Sequence, residues 1–299
     1  MQWDDRVYGP TTIDDPGLLD LIACPTFARL EGIRQAGPSA LAFPFKTVTR
    51  FEHSLGVFVL LRRLGADRRE QVAGLLHDIS HTAFSHAVDF VYATDEQAHH
   101  ESIKPAFLDR PDLAAALGRL GYKPEEFYDD EVFPLLERPL PALCADRLDY
   151  FFRDSLACGV TTTAAVTGFL GHLVVVDRTI AFDDPAVARE AARLFALMNR
   201  DWWASPTEAY IYNEFGDALR IALRRGALTD ADLLTNDATV LDRLRSSGDP
   251  EILVRLDRVL GFCPDLLASY RPRVIPKQRW LDPPVRQADG SLKRLSELV

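Results

Sequence analysis

GLLHDISHTAFSH, residues 74–86, decides the reading of this chain: an apolar run ends in an adjacent His77-Asp78 pair, and His81 and His86 follow within the next eight residues. Neighbouring positions on a helix diverge by about 100°. Both side chains of the pair therefore reach one point only near a helix terminus, where they can splay. Six of the seven histidines lie from His53 to His100. His53 sits one helix earlier, in RFEHSLG (50–56), and Asp146 in CADRLDY (144–150) is placed to arrive from a later helix. Two imidazoles and two carboxylates make a mixed nitrogen and oxygen donor set. Such a set suits Mn, Fe, Co, Ni, Zn or Mg better than a thiolate-preferring metal.

Working outward, Asp15-Pro16 reads as an N-cap followed by proline at the first helical position, opening a helix through Leu18 to Ile22. Pro25 ends it, Thr26 restarts one through Phe27, Leu30 and Ile33, and Gly37-Pro38 closes that. Apolar periodicity predicts helices from Phe51 to Gly65, from Arg68 to Asp78, and over about 82–92, 96–109, 111–120, 140–157, 185–203 and 206–225, with shorter ones within 229–259. His172 to Phe182 differs: β-branched runs flank Asp177-Arg178, which predicts a hairpin. Ser155 to Val176 carries no charged residue but holds three glycines and four threonines, and is expected to be a buried loop plus strand rather than a membrane span. The tail after Tyr270 is proline-rich and reads as extended. The expected fold is all-α, with a small β-hairpin and short extended C-terminal segments. Residues 1–160 are expected to form the catalytic core and 161–299 a helical extension packed on it as one unit.

Thirty-four basic against 44 acidic residues give a net charge of −10 and a pI near 5.2. That field repels a nucleic-acid backbone or an anionic membrane, yet admits a small anion wherever a local positive patch exists. Four scattered cysteines without a C-x-x-C pair, and an N-terminal MQWDDRVYGP without a basic and apolar leader pattern, lead us to expect a reduced, cytoplasmic protein. Walker A, dinucleotide-binding glycine, G-x-S-x-G and H-E-x-x-H patterns are absent, which removes those chemistries.

The order H…HD…D, with RFEHSLG before the pair and DRLDYFFRD (146–154) after it, resembles the HD-domain metal-dependent phosphohydrolases, in particular the deoxynucleoside triphosphate triphosphohydrolase branch that includes the SAM-and-HD-domain enzyme. The resemblance is clear over about residues 15–160 and implies an HD-domain helical fold. It makes His53, His77, Asp78 and Asp146 ligands of a divalent metal ion. It places Asp89, His100 and Glu101 beside the reacting phosphate, with His100, or its neighbour His99, as general acid. His81 and His86 match phosphate-side histidines, Arg50 and Arg147 match phosphate contacts, and Gln35, Tyr150 and Asp154 match sugar-side positions. The implied activity is hydrolysis of the 5′-phosphate or triphosphate of a (deoxy)nucleotide, with a small nucleotide as partner and a homo-oligomer as a possible assembly.

The chain departs from that pattern in two places. Ala36 follows Gln35 where the family has a bulky apolar residue beside the sugar C2′. The triphosphate branch also carries Arg-x-x-x-His-x-x-x-Tyr on a later helix, and here Tyr210 stands for the tyrosine while the arginine and histidine are out of register, with Trp202-Trp203 nearby. Fewer cations there imply a shorter phosphate chain or an unusual nucleoside. Two rival readings remain: a phosphodiesterase acting on a cyclic or linear nucleotide, and a nucleotide-binding regulator with a vestigial site.

Overall fold

The structure, a computed structural model, describes residues 1–92 and 99–298. Residues 96–98 of the expected 96–109 helix lie outside the described residues. Most of the chain is helical, and several helix starts follow directly from sequence. Asp15-Pro16, Asp184-Pro185, Ser205-Pro206 and Asp249-Pro250 each pair a capping oxygen with proline in the first turn. Thr49 and Asp67 cap the helices Arg50–Arg63 and Arg68–Leu76 by accepting from the backbone N–H groups of Glu52 and Glu70. These two helices pack side by side, and Arg50–Arg63 also packs against Ala145–Ala157. The three carry His53, His77-Asp78 and Asp146 to one place.

Two apolar clusters hold the fold. One runs from Val7 through Phe27, Phe58, Phe151 and Phe195 to Val285. The other joins residues 83–91 to the long helix Pro206–Arg225 and to Val240, Leu244 and Leu256. Both draw on residues from either side of position 160. The predicted hairpin is present, with Leu173–Val176 antiparallel to Thr179–Phe182 and Asp177-Arg178 at positive φ in the turn. The C-terminal segments Pro284–Arg286 and Leu292–Arg294 extend it to four strands, joined through the Phe182–Val285 pairing. No helix among the described residues is long and apolar enough to cross a membrane.

Three local expectations need correction. The uncharged stretch after Ser155 contains a helix, Thr163–Gly171, instead of a buried loop leading to the strand. Thr162 caps it, and Phe169 stacks on Phe152 with ring centroids 6.1 Å apart, so tertiary packing outweighs the weak propensity of its glycine and threonines. The helix expected over 82–92 begins only at Ala87, because residues 77–86 form a tight turn in which Phe84 and Ser85 both have positive φ. The helix expected over 140–157 begins at Ala145, since Pro139 and Pro141 disfavour helical geometry before them. A first hairpin, Gln2–Asp5 with Gly9–Thr12, is also present; its polar QWDD and GPTT strands show no apolar alternation that would reveal it.

A candidate metal centre at the floor of one cavity

A cavity of about 950 Å³ is lined by Arg50, by His77 and Asp78 just beyond the Arg68–Leu76 helix, and by residues of the Ala145–Ala157 and Pro206–Arg225 helices. At its floor, His77 Nδ1 lies 2.9 Å from the Gly74 carbonyl oxygen, and His53 Nδ1 lies 2.8 Å from Asp149 Oδ1. Each contact gives Nδ1 an acceptor, so that once the ring is neutral its Nε2 lone pair can serve a metal. The two Nε2 atoms face one another at 3.1 Å. Asp146 Oδ1 lies 2.9 Å from the His53 Nε2 and 3.5 Å from the His77 Nε2, and Asp78 places one oxygen 3.6 Å from each. Two imidazole nitrogens and two carboxylates thus converge on one buried point, a donor set that fits a divalent metal once the nitrogens give up their protons. Burial opposes a positive charge on His53, but the carboxylates of Asp146 and Asp149 overcome it and lift its pKa to about 10. Metal uptake at these nitrogens therefore competes with protons.

The support beneath the floor is built from buried charge. Asp149 accepts from the Tyr8 hydroxyl (2.7 Å) and from Arg153 Nε (2.7 Å), and the fully buried Arg153 guanidinium also donates to Asp5 and Glu52, both at 2.8 Å. The first hairpin supplies Asp5, and the turn between its strands supplies Tyr8. Gly56 admits this cluster: a Cβ there would fall 2.0 Å from Arg153 Nη2 and 2.1 Å from Asp149 Oδ2.

Beside the floor stand three imidazoles. His81 Nε2 contacts Asp78 Oδ1 at 3.1 Å, its ring stacks on His100 at 4.0 Å, and His86 meets both edge-on. His81 Nδ1 and His100 Nδ1 are buried without a hydrogen-bond partner among the described residues. The left-handed Phe84 and Ser85 hold this row in place. The Phe84 N–H donates to Asp237, and the Ser85 hydroxyl donates to the Arg34 carbonyl while accepting from Arg50 Nε. Such strain persists only where surrounding contacts over-determine it. Burial and the neighbouring His86 push the His100 pKa down to about 3, so its ring is neutral in the free protein. Burial and the Arg50 cation likewise hold His81 well below the ordinary range.

The structure distinguishes two histidines that sequence could not. His100 lines the cavity with Glu101, whereas His99 turns toward Tyr92, and its backbone N–H donates to Asp89. Asp89 contacts His86 Nδ1 at 3.1 Å rather than His100, so the imidazole backed by a carboxylate is His86. Gln35, Arg50, Arg147, Tyr150 and Asp154 all line the cavity. Arg50 is committed in part to Asp78 (2.7 Å), and Arg147 is committed to the carbonyls of Ala142 and Arg138. Tyr210 does not line it: its ring packs against Tyr270 and Phe262 in the second apolar cluster. Tyr212, on the opposite face of the same helix, lines the cavity instead and donates to the Ala36 carbonyl at 3.1 Å.

Several lining residues went unnoticed in the sequence. Lys277 and Arg279 reach the cavity on an extended C-terminal strap pinned by Asn213, which holds the backbone of Arg273 and Val274, and by Asn199, which holds that of Arg279. Neither cation pairs with a carboxylate among the described residues, so the cavity is less poor in positive charge than the Arg-x-x-x-His comparison implied. Only proline content marked that strap in the sequence. Trp202 and Trp203 enter on a π-helical turn, Asn199–Trp203, that ends the preceding helix, and Trp203 donates to Asp154 at 2.8 Å. Lys46 and Glu208 also line the cavity, buried and 3.2 Å apart. Asp149 carried a usable signal, since it stands one helical turn after Asp146 on the same face.

With this geometry in view, similarity to known proteins becomes informative. The HD domain family matches residues 50–154. The chain is 38% identical over 261 residues to the uncharacterised protein YdhJ of Bacillus subtilis, spanning 87% of this chain and 80% of that one. It is 33% identical over 263 residues to the metal-dependent phosphohydrolase cns2 of Cordyceps militaris, spanning 85% and 76%. A crystal structure of a phosphohydrolase from Bacteroides thetaiotaomicron shares the fold, with a TM-score of 0.69 at 21% identity over 100% of this chain and 94% of that one. The spacing of His53, His77-Asp78 and Asp146 and these likenesses converge: the chain belongs to the HD-domain family of metal-dependent phosphohydrolases.

Proposed function

We propose that the chain hydrolyses the 5′-phosphate or triphosphate of a (deoxy)nucleotide, as a cytoplasmic enzyme acting on a small substrate. The observation that carries this reading is the adjacency, in one cavity, of a metal-ligating floor, a row of imidazoles with unsatisfied nitrogens, and the strap cations. His53, His77, Asp78 and Asp146 would hold the ion, which when bound supplies a Lewis acid and an acidified water. The chain's own groups do the rest. Arg50, Lys277 and Arg279 attract and orient the phosphoryl oxygens. His81 and His100, neutral and with open nitrogens, offer hydrogen bonds to the group being transferred. His86, oriented by Asp89, delivers the proton to the leaving oxygen. Trp202, Trp203 and Tyr150 wall the far side, where the nucleoside lies.

A panel of nucleoside mono-, di- and triphosphates, followed by chromatography with Mn, Mg, Co or Fe added, tests this reading. Release of phosphate, pyrophosphate or tripolyphosphate supports it; cleavage confined to cyclic or linear dinucleotides would establish the diesterase alternative. His86→Ala is expected to lower kcat by about 10²- to 10⁴-fold while metal content stays at the wild-type level. Equal loss of metal and activity would make His86 a structural residue. Replacing Lys277 and Arg279 together by alanine is expected to raise KM about tenfold, with a smaller effect on kcat, because the pair contacts the anion before and during reaction alike.

A further inference from the structure

One wall of the cavity holds a buried polar cluster that the reaction itself does not require. Ser39 and Lys46 both bind the same oxygen of Glu208, Oε2, at 2.6 and 3.2 Å. Trp203 occupies Asp154 Oδ2. Glu208 Oε1 and Asp154 Oδ1 accept no hydrogen bond among the described residues, and Gln35 Oε1 is buried without a partner. The Lys46 ammonium is spent on Glu208 and on the faces of Phe43 and Trp202, 5.2 and 5.3 Å from their centroids. Gln35, Ala36, Lys46, Asp154 and Glu208 all line the cavity.

Glu208 Oε1 and Asp154 Oδ1 are open acceptors, and their surroundings select what can meet them. A second phosphate is disfavoured by two carboxylates. A cationic ligand is disfavoured by the ammonium already there. A neutral donor, a hydroxyl above all, satisfies the acceptors without adding charge. Asp154 stands about two turns after Asp146 on the Ala145–Ala157 helix, so the cluster adjoins the proposed metal ligands, on the side where the sugar next to the phosphate would lie. Ala36, small and next to Gln35, leaves space on that ring.

Building on the nucleotide reading above, we propose that Glu208, positioned by Lys46 and Ser39, is a specificity-determining residue that accepts hydrogen bonds from ribose hydroxyls, so that the enzyme prefers ribonucleotides to 2′-deoxyribonucleotides. Lys46 is a positioning residue; it fixes the Glu208 rotamer and keeps Oε1 free.

The test is kcat/KM for matched pairs, AMP with dAMP and ATP with dATP, repeated with inosine and guanosine nucleotides, on the wild type, Glu208→Gln, Lys46→Met and Ala36→Leu, each with its thermal midpoint measured. One well-placed hydrogen bond corresponds to about tenfold, so the wild type should favour the ribose form by about that factor or more. Glu208→Gln should bring the ratio toward one, mainly through KM, and Ala36→Leu should penalise the ribose form more than the deoxy form. Lys46→Met should also reduce the ratio. A wild-type ratio near one, a preference for deoxyribose, equal losses on both sugars in Glu208→Gln, or selectivity that follows the base would overturn the inference while leaving nucleotide hydrolysis intact. Hydrolysis of a simple aryl phosphate without turnover of any nucleotide would instead remove the nucleotide reading and this inference with it. If Glu208→Gln unfolds, Ala36→Leu carries the decision on the sugar.

Discussion

Asp78→Ala is expected to lower bound metal to under about a tenth of the wild-type level and to reduce turnover by at least about 10³-fold, since metal and acidified water are lost together. Asp78 does three things at once. Its oxygens approach the His53 and His77 Nε2 atoms, one also contacts His81 Nε2, and the other pairs with Arg50. The variant therefore removes a donor and frees Arg50 and His81 together. Asp78→Asn separates these effects, because it keeps the shape but carries no charge; it should lose metal affinity while folding normally. Plasma emission spectroscopy on dialysed protein reads the metal, and circular dichroism reads the fold.

Arg153→Met is expected to cost about 3–5 kcal/mol of stability, as removal of one partner from a buried ion cluster leaves the others uncompensated. Arg153 is fully buried and bonded to Asp149, Asp5 and Glu52, of which Asp149 and Asp5 have almost no solvent contact. The effect has a sign in pH. Burial raises the Asp5 pKa, but the Arg153 guanidinium outweighs it and holds the carboxyl below its ordinary range. That contribution is present above the unfolded carboxylate pKa of about 4 and is lost as pH falls through the lower folded value. Without Arg153 only the Val7 and Tyr8 N–H groups oppose burial, and the difference between variant and wild type should shrink as pH falls below about 4. Urea unfolding at several pH values measures it. A pH-independent difference would show that Arg153 contributes through packing alone. Metal affinity should fall as well, since Asp149 then loses a bond that orients it against His53.

The convergence of His53, His77, Asp78 and Asp146 was legible because such a pattern is rare. His77-Asp78 stands at the end of an apolar run with His53 and Asp146 on flanking helices, and apolar periodicity marked the helices that carry them. Asp89 and His86 were both recognisable, but their pairing was not. It depends on the turn through Phe84 and Ser85, whose left-handed backbone no residue type there announces. The far wall was less legible still. Lys277, Arg279 and Glu208 come from segments distant in the chain, and an isolated lysine or glutamate carries no local pattern. Tyr210 and Tyr212 show the limit most sharply. Either could stand at the family's tyrosine position, and only the rotation of one helix, set by Tyr210 packing on Tyr270, decides which meets the cavity.

If the floor holds a metal that this chain uses to hydrolyse phosphate from a nucleotide, bound ion and turnover rise and fall together. The most direct measurement is phosphate release from a nucleotide panel by purified protein, before chelation, after chelation, and after each divalent ion is restored, with bound metal counted in every sample. The expected result is about one or more ions per chain, loss of turnover with the ion, recovery with it, and neither ion nor turnover in Asp78→Ala. Full turnover by metal-free protein, or by Asp78→Ala, would contradict it.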